Sequence, residues 1–398
     1  MKIKKIFFFT TEPFPFGFGG TNRILAYAKG FNTNGIDVEV VCIRRTEKGV
    51  KILNNEINGI YNNIKFRYLS KNTIRSKFLI KRKLDDFFSY IQLLLYSIKE
   101  LNRNTFSIFY SHRTTPAVIL FITNKIRKGV LFKEESEHPE IRSKSNFSMK
   151  VYKTIHYKLF DGFLVISKNL ISYIKSKTNM PIIQVPMLVE LDRFNKKDKI
   201  NNKSNEIVYT GLIDDKKDGI DILFKAFSEV IKKHKSLELT LYGSAKSEIK
   251  LQEFYKLAEK LKIKDLVNFK GRVSRDVITE KLLGAKILVL PRPDSVQAQN
   301  GFPTKLGEYL ATGNPTIVTN VGEIPDYLID NKDVYIATPS DVLSFKNKLL
   351  EVIEDYPKAK KIGLEGRKTA DVQFNSIYQT KKIIHFIERE YKLRNLLK

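Results

Sequence analysis

The sequence predicts an α/β protein of two doubly wound, Rossmann-like parallel-sheet domains followed by C-terminal helices. Three observations predict it. Short β-branched and aromatic runs alternate with amphipathic stretches in two successive series, a glycine-bearing loop follows the first strand of each series, and a polar run separates them. With 398 residues, the chain has room for two or three domains at roughly 150 residues each.

The first series opens with a strand over 6–9, bounded by Pro13, Pro15, Gly17, Gly19 and Gly20. Thr21 is placed to cap a helix that carries Ile24, Leu25, Tyr27, Ala28 and Phe31 on one face and ends near Gly35. A strand over 38–43 follows, then helix 84–102, strand 107–110, helix 116–127, strand 130–133, helix 149–160 and strand 162–166. Between 185 and 205 the periodicity lapses into the polar run 195–203, and the domain boundary is placed there. The second series reads strand 206–209, loop 210–219, helix 220–234, strand 237–242, helix 247–261 and strand 267–269. Helix 275–283, strand 287–290, helix 304–311 and strand 316–318 complete it, and from Asp341 onward the pattern is helical. The expected organisation is an N-terminal domain over 1–185, a connector over 186–204, a C-terminal domain over 205–375, and a final helix over 376–398 returning to the first domain. Two such sheets face each other across a cleft, which is the expected ligand site.

Composition narrows the function. Seventy Lys+Arg against 43 Asp+Glu give a net charge of +27, which points to phosphate-bearing ligands, nucleic acid or an anionic membrane. The single cysteine, Cys42, allows neither an internal disulfide nor a cysteine-based zinc site, so a reducing, cytoplasmic setting is expected. The five histidines never fall within one helical turn of each other, which excludes H-E-x-x-H hydrolases. The longest apolar run, Ala117 to Ile122, is far too short to span a membrane. The basic start and apolar 6–9 fit a buried strand better than a signal peptide, because Thr10, Glu12 and Pro13 interrupt the run.

The loop Gly17-Phe18-Gly19-Gly20-Thr21-Asn22 has Asn22 where a dinucleotide fingerprint needs its third glycine, and Arg44 and Arg45 follow the second strand where an acid is needed. Dinucleotide oxidation is therefore disfavoured, although the glycines still admit a ligand to a helix N-terminus. The stretch 209–219 repeats the design with Gly211, Lys216 and Lys217. Most informative is 290–315. A buried strand ends in Pro291-Arg292-Pro293, and a loop then enters a helix with Asn300, Gly301, Phe302, Pro303, Thr304 and Lys305 at its head and Glu308 one turn inside. Amides there can cradle a diphosphate, and Glu308 can accept from a ribose diol.

In the order and spacing of these segments, with 161–170, 185–194, 269–274 and 285–291, the chain resembles the retaining glycosyltransferases of the GT-B fold, specifically family four (group 1 type), as found in bacterial polysaccharide and capsule biosynthesis. The resemblance implies a UDP- or GDP-sugar donor in the C-terminal domain, a saccharide or lipid-linked acceptor held mainly by the N-terminal one, and no cofactor. Glu308 matches the second glutamate of the family's E-x7-E motif, Lys217 its diphosphate-binding lysine, and Gly271, Arg272 and Val273 its nucleobase-pocket segment. Asn300 stands where the first glutamate belongs, which removes a charge near the donor sugar. Ser136 replaces a common histidine, leaving Glu137, or secondarily His138, as the candidate acting from the N-terminal domain. The resemblance and residue types together assign Glu137, Lys217 and Asn300 to catalysis. They assign Gly19, Gly20, Gly211, Lys217, Arg272, Val273, Gly301, Phe302, Pro303, Thr304, Lys305 and Glu308 to donor binding.

No Asp-x-Asp occurs, so protein cations and helix dipoles are expected to stabilise the departing diphosphate without a metal. Two acid-free basic and aromatic segments, 65–83 and 142–158, suggest peripheral contact with the inner face of an anionic plasma membrane. Two alternatives stand beside transfer. A GT-B nucleotide-sugar epimerase would use the same cleft, and a nucleic-acid-binding protein would explain the charge, though no nucleic-acid module is present.

Overall fold

The computed structural model describes residues 3–48, 52–139, 152, 154–195 and 205–396. They form two compact units: Met1–Leu188 with Ser376–Lys398, and Val189–Asn375.

The first unit is built on β1 (Lys5–Thr10), α1 (Gly19–Thr33), β2 (Asp37–Cys42), β3 (Asn58–Tyr61), β4 (Ile64–Tyr68), α2 (Leu79–Glu100), β5 (Thr105–Tyr110), α3 (Thr114–Arg127) and β6 (Val130–Glu135). β7 (Gly162–Val165), α4 (Lys168–Lys175) and β8 (Ile182–Gln184) follow. The sheet order is β3-β4-β2-β1-β5-β6-β7-β8, parallel throughout except for the β3–β4 hairpin. β1 lies at the middle, with Phe8 between Val40 and Ile108. β1, β2 and β5 are buried at nearly every position and carry the apolar stretches 6–9, 40–42 and 108–110. β4 alternates buried with exposed positions and β3 exposed with half-buried ones, which hides both from a search for such runs.

Several local expectations are corrected. Thr21 does not cap α1. The helix starts two residues earlier, and the Thr21 hydroxyl donates instead to the Pro13 carbonyl at 2.6 Å. α2 begins at Leu79, not residue 84, because residues 79–83 favour helix although none of them is buried. β6 runs to Glu135, two residues past the expected end at 133, so Glu134 and Glu135 also lie inside the sheet. Arg23 makes this tolerable. Its Nε donates to Glu134 at 2.6 Å with both side chains 1% exposed, and its two Nη groups donate to the carbonyls of Pro186 and Val185. Within the expected helix 149–160, residues 149–151 and 153 lie outside the described residues, and His156–Lys158 is a 3-10 turn.

The second unit comprises β9 (Glu206–Ile213), α5 (Asp215–Asp218), α6 (Ile220–Val230), β10 (Glu238–Ala245), α7 (Glu248–Lys260), β11 (Val267–Gly271), α8 (Arg275–Gly284) and β12 (Ile287–Leu290). α9 (Val296–Gln299), α10 (Thr304–Thr312), β13 (Thr316–Thr319), α11 (Ile324–Tyr327), β14 (Tyr335–Ala337), α12 (Val342–Glu354) and α13 (Tyr356–Gln373) complete it. Its sheet is fully parallel in the order β11-β10-β9-β12-β13-β14. The last helix, α14 (Ser376–Leu396), packs on α1 of the first unit. A Cβ on Gly30 would lie 2.5 Å from the Ser376 carbonyl oxygen, and Ile383 and Ile387 join the first unit's core.

Candidate active site

In the second sheet the strand order reverses between β9 and β12. The crevice outside the carboxyl ends of strands at such a reversal is where open α/β sheets bind ligands. Four segments meet there: the end of β9, the turn α5, Pro291-Arg292 after β12, and the head of α10. Their approach depends on two glycines. Gly211 has φ +136°, and a Cβ on it would lie 2.2 Å from Lys305 Nζ, so this glycine makes room for that ammonium. Gly219, at φ +68°, passes so close to β12 that a Cβ would lie 2.0 Å from the Pro291 carbonyl oxygen.

Lys305 is held in place by a buried carboxylate. Its Nζ donates to Asp218 Oδ2 at 2.9 Å and to Tyr209 Oη at 3.0 Å, and Tyr209 Oη lies 2.7 Å from the same Asp218 oxygen. Arg292 Nε stands 3.8 Å from Asp218 Oδ1. Asp218 is 1% exposed. Burial alone would raise its pKa, but the charges of Lys305 and Arg292 and the bonds from Lys305 and Tyr209 outweigh it and hold the carboxyl below its ordinary value. Burial pulls Lys305 and Arg292 down, against the Asp218 charge. The arrangement presents two cations oriented by one anion. Sequence reasoning found Lys305 but missed Asp218 and Tyr209, because an acid in a polar loop reads as solvated.

Lys217 is half-buried. Its backbone N–H caps onto Asp214 at 2.6 Å, and its ammonium makes no ion pair among the described residues while bearing on Lys305. α10 has no side-chain cap at Pro303, so the Thr304 and Lys305 amides point out of the helix without one. Pro303 itself has no N–H to offer. The Phe302 ring packs against Tyr327 at 5.2 Å and Phe374 at 5.5 Å, so this residue brings only its backbone to a ligand. Gly301 is partly exposed beside it. Asn300 ends α9, and its Nδ2 donates to the Val296 carbonyl at 2.8 Å. Glu308, on the same helix as Lys305, accepts from Arg193 Nη1 at 2.7 Å, leaving its other oxygen without a hydrogen bond among the described residues. Arg193 is itself fixed by Thr279 Oγ1 at 2.6 Å and the Arg275 carbonyl at 3.0 Å. Arg193 was read only as connector, because nothing local ties it to a residue so far along the chain. Arg272 and Val273 are exposed just beyond β11.

The remaining candidates belong to the first unit. Gly19 and Gly20 form the head of α1, which carries no side-chain cap. Glu137 is exposed two residues past β6, whereas His138 is buried with its ring 4.6 Å from that of Tyr173. Ser136 lies 3.2 Å from the Tyr110 hydroxyl.

Residues 191–369 match the family model described as glycosyl transferases group 1. An uncharacterized glycosyltransferase of Methanocaldococcus jannaschii is 24% identical over 177 residues, a match spanning 44% of each protein and thus less than half of that relative's length. Among solved structures, sucrose-phosphate synthase from Thermosynechococcus elongatus superimposes with a TM-score of 0.76 at 14% identity, covering 98% of this chain and 100% of that one. S. aureus TarM, solved with fondaparinux, alpha-GlcNAc-glycerol and UDP, gives 0.72 at 13% identity over 96% of this chain and 99% of that one. The chain therefore has the two-sheet GT-B fold that the sequence predicted, and its second unit carries a glycosyltransferase group 1 domain.

Proposed function

From a chain with the GT-B fold and a group 1 glycosyltransferase domain, we propose an enzyme that moves a sugar from a UDP- or GDP-sugar to a hydroxyl of a saccharide acceptor. The observation that carries this reading is the Lys305–Asp218–Arg292 assembly at the strand-order reversal of the second sheet. Lys305 and Arg292, with Lys217 and the uncapped amides of α10, supply the positive charge that a departing diphosphate needs. The free oxygen of Glu308 takes the ribose diol, and Arg272 and Val273 border the nucleobase. The acceptor hydroxyl attacks the anomeric carbon from the leaving group's side, its proton passes to the departing diphosphate oxygen, and configuration is retained. Asn300 borders the donor sugar, and Glu137 acts on the acceptor from the first unit. Calorimetry with UDP, GDP and their sugars tests the donor half. Lys305→Met should weaken nucleotide binding by about tenfold or more, as loss of a charge-assisted hydrogen bond does. Unchanged affinity would remove the assembly from the site. Turnover should persist in EDTA, and loss of turnover restored by Mn²⁺ would overturn the metal-independent route.

The acceptor is read as lipid-linked and the protein as peripheral on the cytoplasmic face of an anionic membrane. α2 supports this. It buries only Ser89, Leu93 and Ser97, while Ile80, Leu84, Phe87, Ile91, Leu94 and Ile98 form an exposed ridge on another face. Phe78 and Phe88 are also 77% and 61% exposed, with exposed Lys77, Lys81 and Lys83 at the helix start to meet anionic headgroups. The other basic segment, 142–158, lies largely outside the described residues. No helix among the described residues is long and apolar enough to cross a membrane. The chain has no tryptophan, so Phe88→Trp provides a single reporter. Its emission should shift to the blue with phosphatidylglycerol vesicles at low salt. No shift with vesicles, or a shift produced instead by self-association, would refute membrane docking.

A further inference from the structure

The carboxyl edge of the first sheet concentrates cations far from the nucleotide-binding residues along the chain. Arg44 lies two residues beyond β2 and Arg113 three beyond β5, and the Nη1 of each is 3.5 Å from the same Asp86 Oδ2. The loop holding Lys48 is joined to the one holding Arg75. Thr46 and Glu47 N–H both donate to the Thr73 carbonyl at 3.0 Å, and Arg75 N–H donates to the Glu47 carbonyl at 2.9 Å. Arg82 lies in the first turns of α2, just before Asp85 and Asp86.

Among the described residues, Arg44, Arg45, Lys48, Arg75, Arg82 and Arg113 outnumber the carboxylates around them, Glu12, Glu47, Asp85 and Asp86. Asp85 is taken by Arg45 at 2.7 Å, and Glu47 Oε2 accepts from the Leu53 N–H at 2.9 Å. Asp86 remains to serve Arg44 and Arg113 together. Arg75 Nε is buried with no hydrogen-bond acceptor, and neither Lys48 nor Arg82 makes a side-chain hydrogen bond among the described residues. Burial first, then the cations Arg113 and Arg75, brings Arg44 down to about 10 despite Asp86. Lys48 is pulled down by burial, then by Arg75, Arg44 and Arg82, against Glu12. Arg75 is pulled down by burial and by Arg82 and Arg113, against Asp86. A fold has little reason to gather like charges around one carboxylate where strands end and ligands bind, unless an anion joins them.

We propose that this edge binds a phosphate or diphosphate group of the acceptor through Arg44, Lys48, Arg75, Arg82 and Arg113. The inference rests on the reading that the first unit holds the acceptor, and it assigns that acceptor a chemical class. Several guanidinium forks offer more donors than the two oxygens of a carboxylate can accept, whereas a phosphate brings three terminal oxygens and up to two charges. Two sources share this chemistry: a diphosphate-linked lipid, and a phosphate-bearing saccharide free in solution.

The test is calorimetric titration of the full chain with inorganic pyrophosphate while the nucleotide site is saturated with UDP. Pyrophosphate should still bind. Arg75→Gln and Arg113→Gln should each weaken it by about tenfold or more while UDP affinity stays unchanged. If either variant fails to fold, the pair Lys48→Gln with Arg82→Gln, at side chains without hydrogen bonds, gives the same readout. Pyrophosphate binding abolished by UDP, or undiminished in these variants, would overturn the proposal. Absence of UDP binding in the unsubstituted chain would instead sink the donor reading, and the variants would still report on pyrophosphate. Farnesyl diphosphate in detergent micelles binding more tightly than pyrophosphate supports the lipid source. Equal binding of glucose 1-phosphate and pyrophosphate supports the soluble one.

Discussion

Replacing Asp218 by Asn tests the electrostatic core of the second unit. The carboxylate is 1% exposed and faces Lys305 at 2.9 Å and Arg292 at 3.8 Å. At an effective dielectric of about 20, those contacts amount to roughly 6 and 4 kcal/mol of attraction. Much of that is offset because one fewer charge is then buried, so the expected net loss is about 3–5 kcal/mol, as for other buried pairs broken from one side. For a domain of this size the melting temperature should fall by about 2–4 °C per kcal/mol, or roughly 6–20 °C in all. Urea unfolding followed by circular dichroism measures the loss. The double variant Asp218→Asn with Lys305→Met should recover at least about 1 kcal/mol relative to additivity, since it no longer strands the ammonium. A single-variant loss below about 1 kcal/mol, or strict additivity, would show that the three groups are not coupled as the distances require.

The same carboxylate makes the stability difference pH-dependent. Its folded pKa lies below the ordinary value, so its contribution is complete above about pH 4 and disappears as pH falls through the folded value. The gap in melting temperature between the original chain and Asp218→Asn should therefore close progressively as pH falls below about 4, and a constant gap would contradict the assignment. Glu308→Gln should weaken UDP binding by about tenfold or more, read by calorimetry, because it removes a charge at the proposed ribose position. Arg23→Met should destabilise the first unit by about 3–5 kcal/mol in urea by stranding Glu134 inside the sheet, while UDP affinity in the second unit holds.

How much of this was legible depends on whether a residue's role is visible to its neighbours in the chain. β1 and β12 are buried on both faces, and the apolar runs 6–9 and 287–290 announce them directly; β2, β5 and β9 show shorter apolar stretches. β4 is half-exposed with Lys65 and Arg67 on its open face, so its pattern looks like a basic loop. β6 is deceptive in the opposite sense: Lys133, Glu134 and Glu135 look solvated, yet Lys133 and Glu135 lie 3.5 Å apart inside the sheet and Arg23, 111 residues from Glu134, pairs with that carboxylate. The candidate site divides the same way. Gly211, Lys305 and Glu308 stand out because glycines, helix heads and acids at fixed spacing have local meaning.

Asp218, Tyr209 and Arg193 acquire meaning only from partners brought by the fold. Arg193 meets Glu308 115 residues later, and Asp218 meets Lys305 87 residues later. That separation has a mechanistic consequence. Lys305 and Glu308 lie on one helix, three residues apart, and each is oriented by a partner from a different preceding segment. Any shift of α10 along its axis would disturb both contacts at once. The cation proposed for the diphosphate and the carboxylate proposed for the ribose are therefore held in register by the same two clamps, which fixes their spacing before a donor arrives.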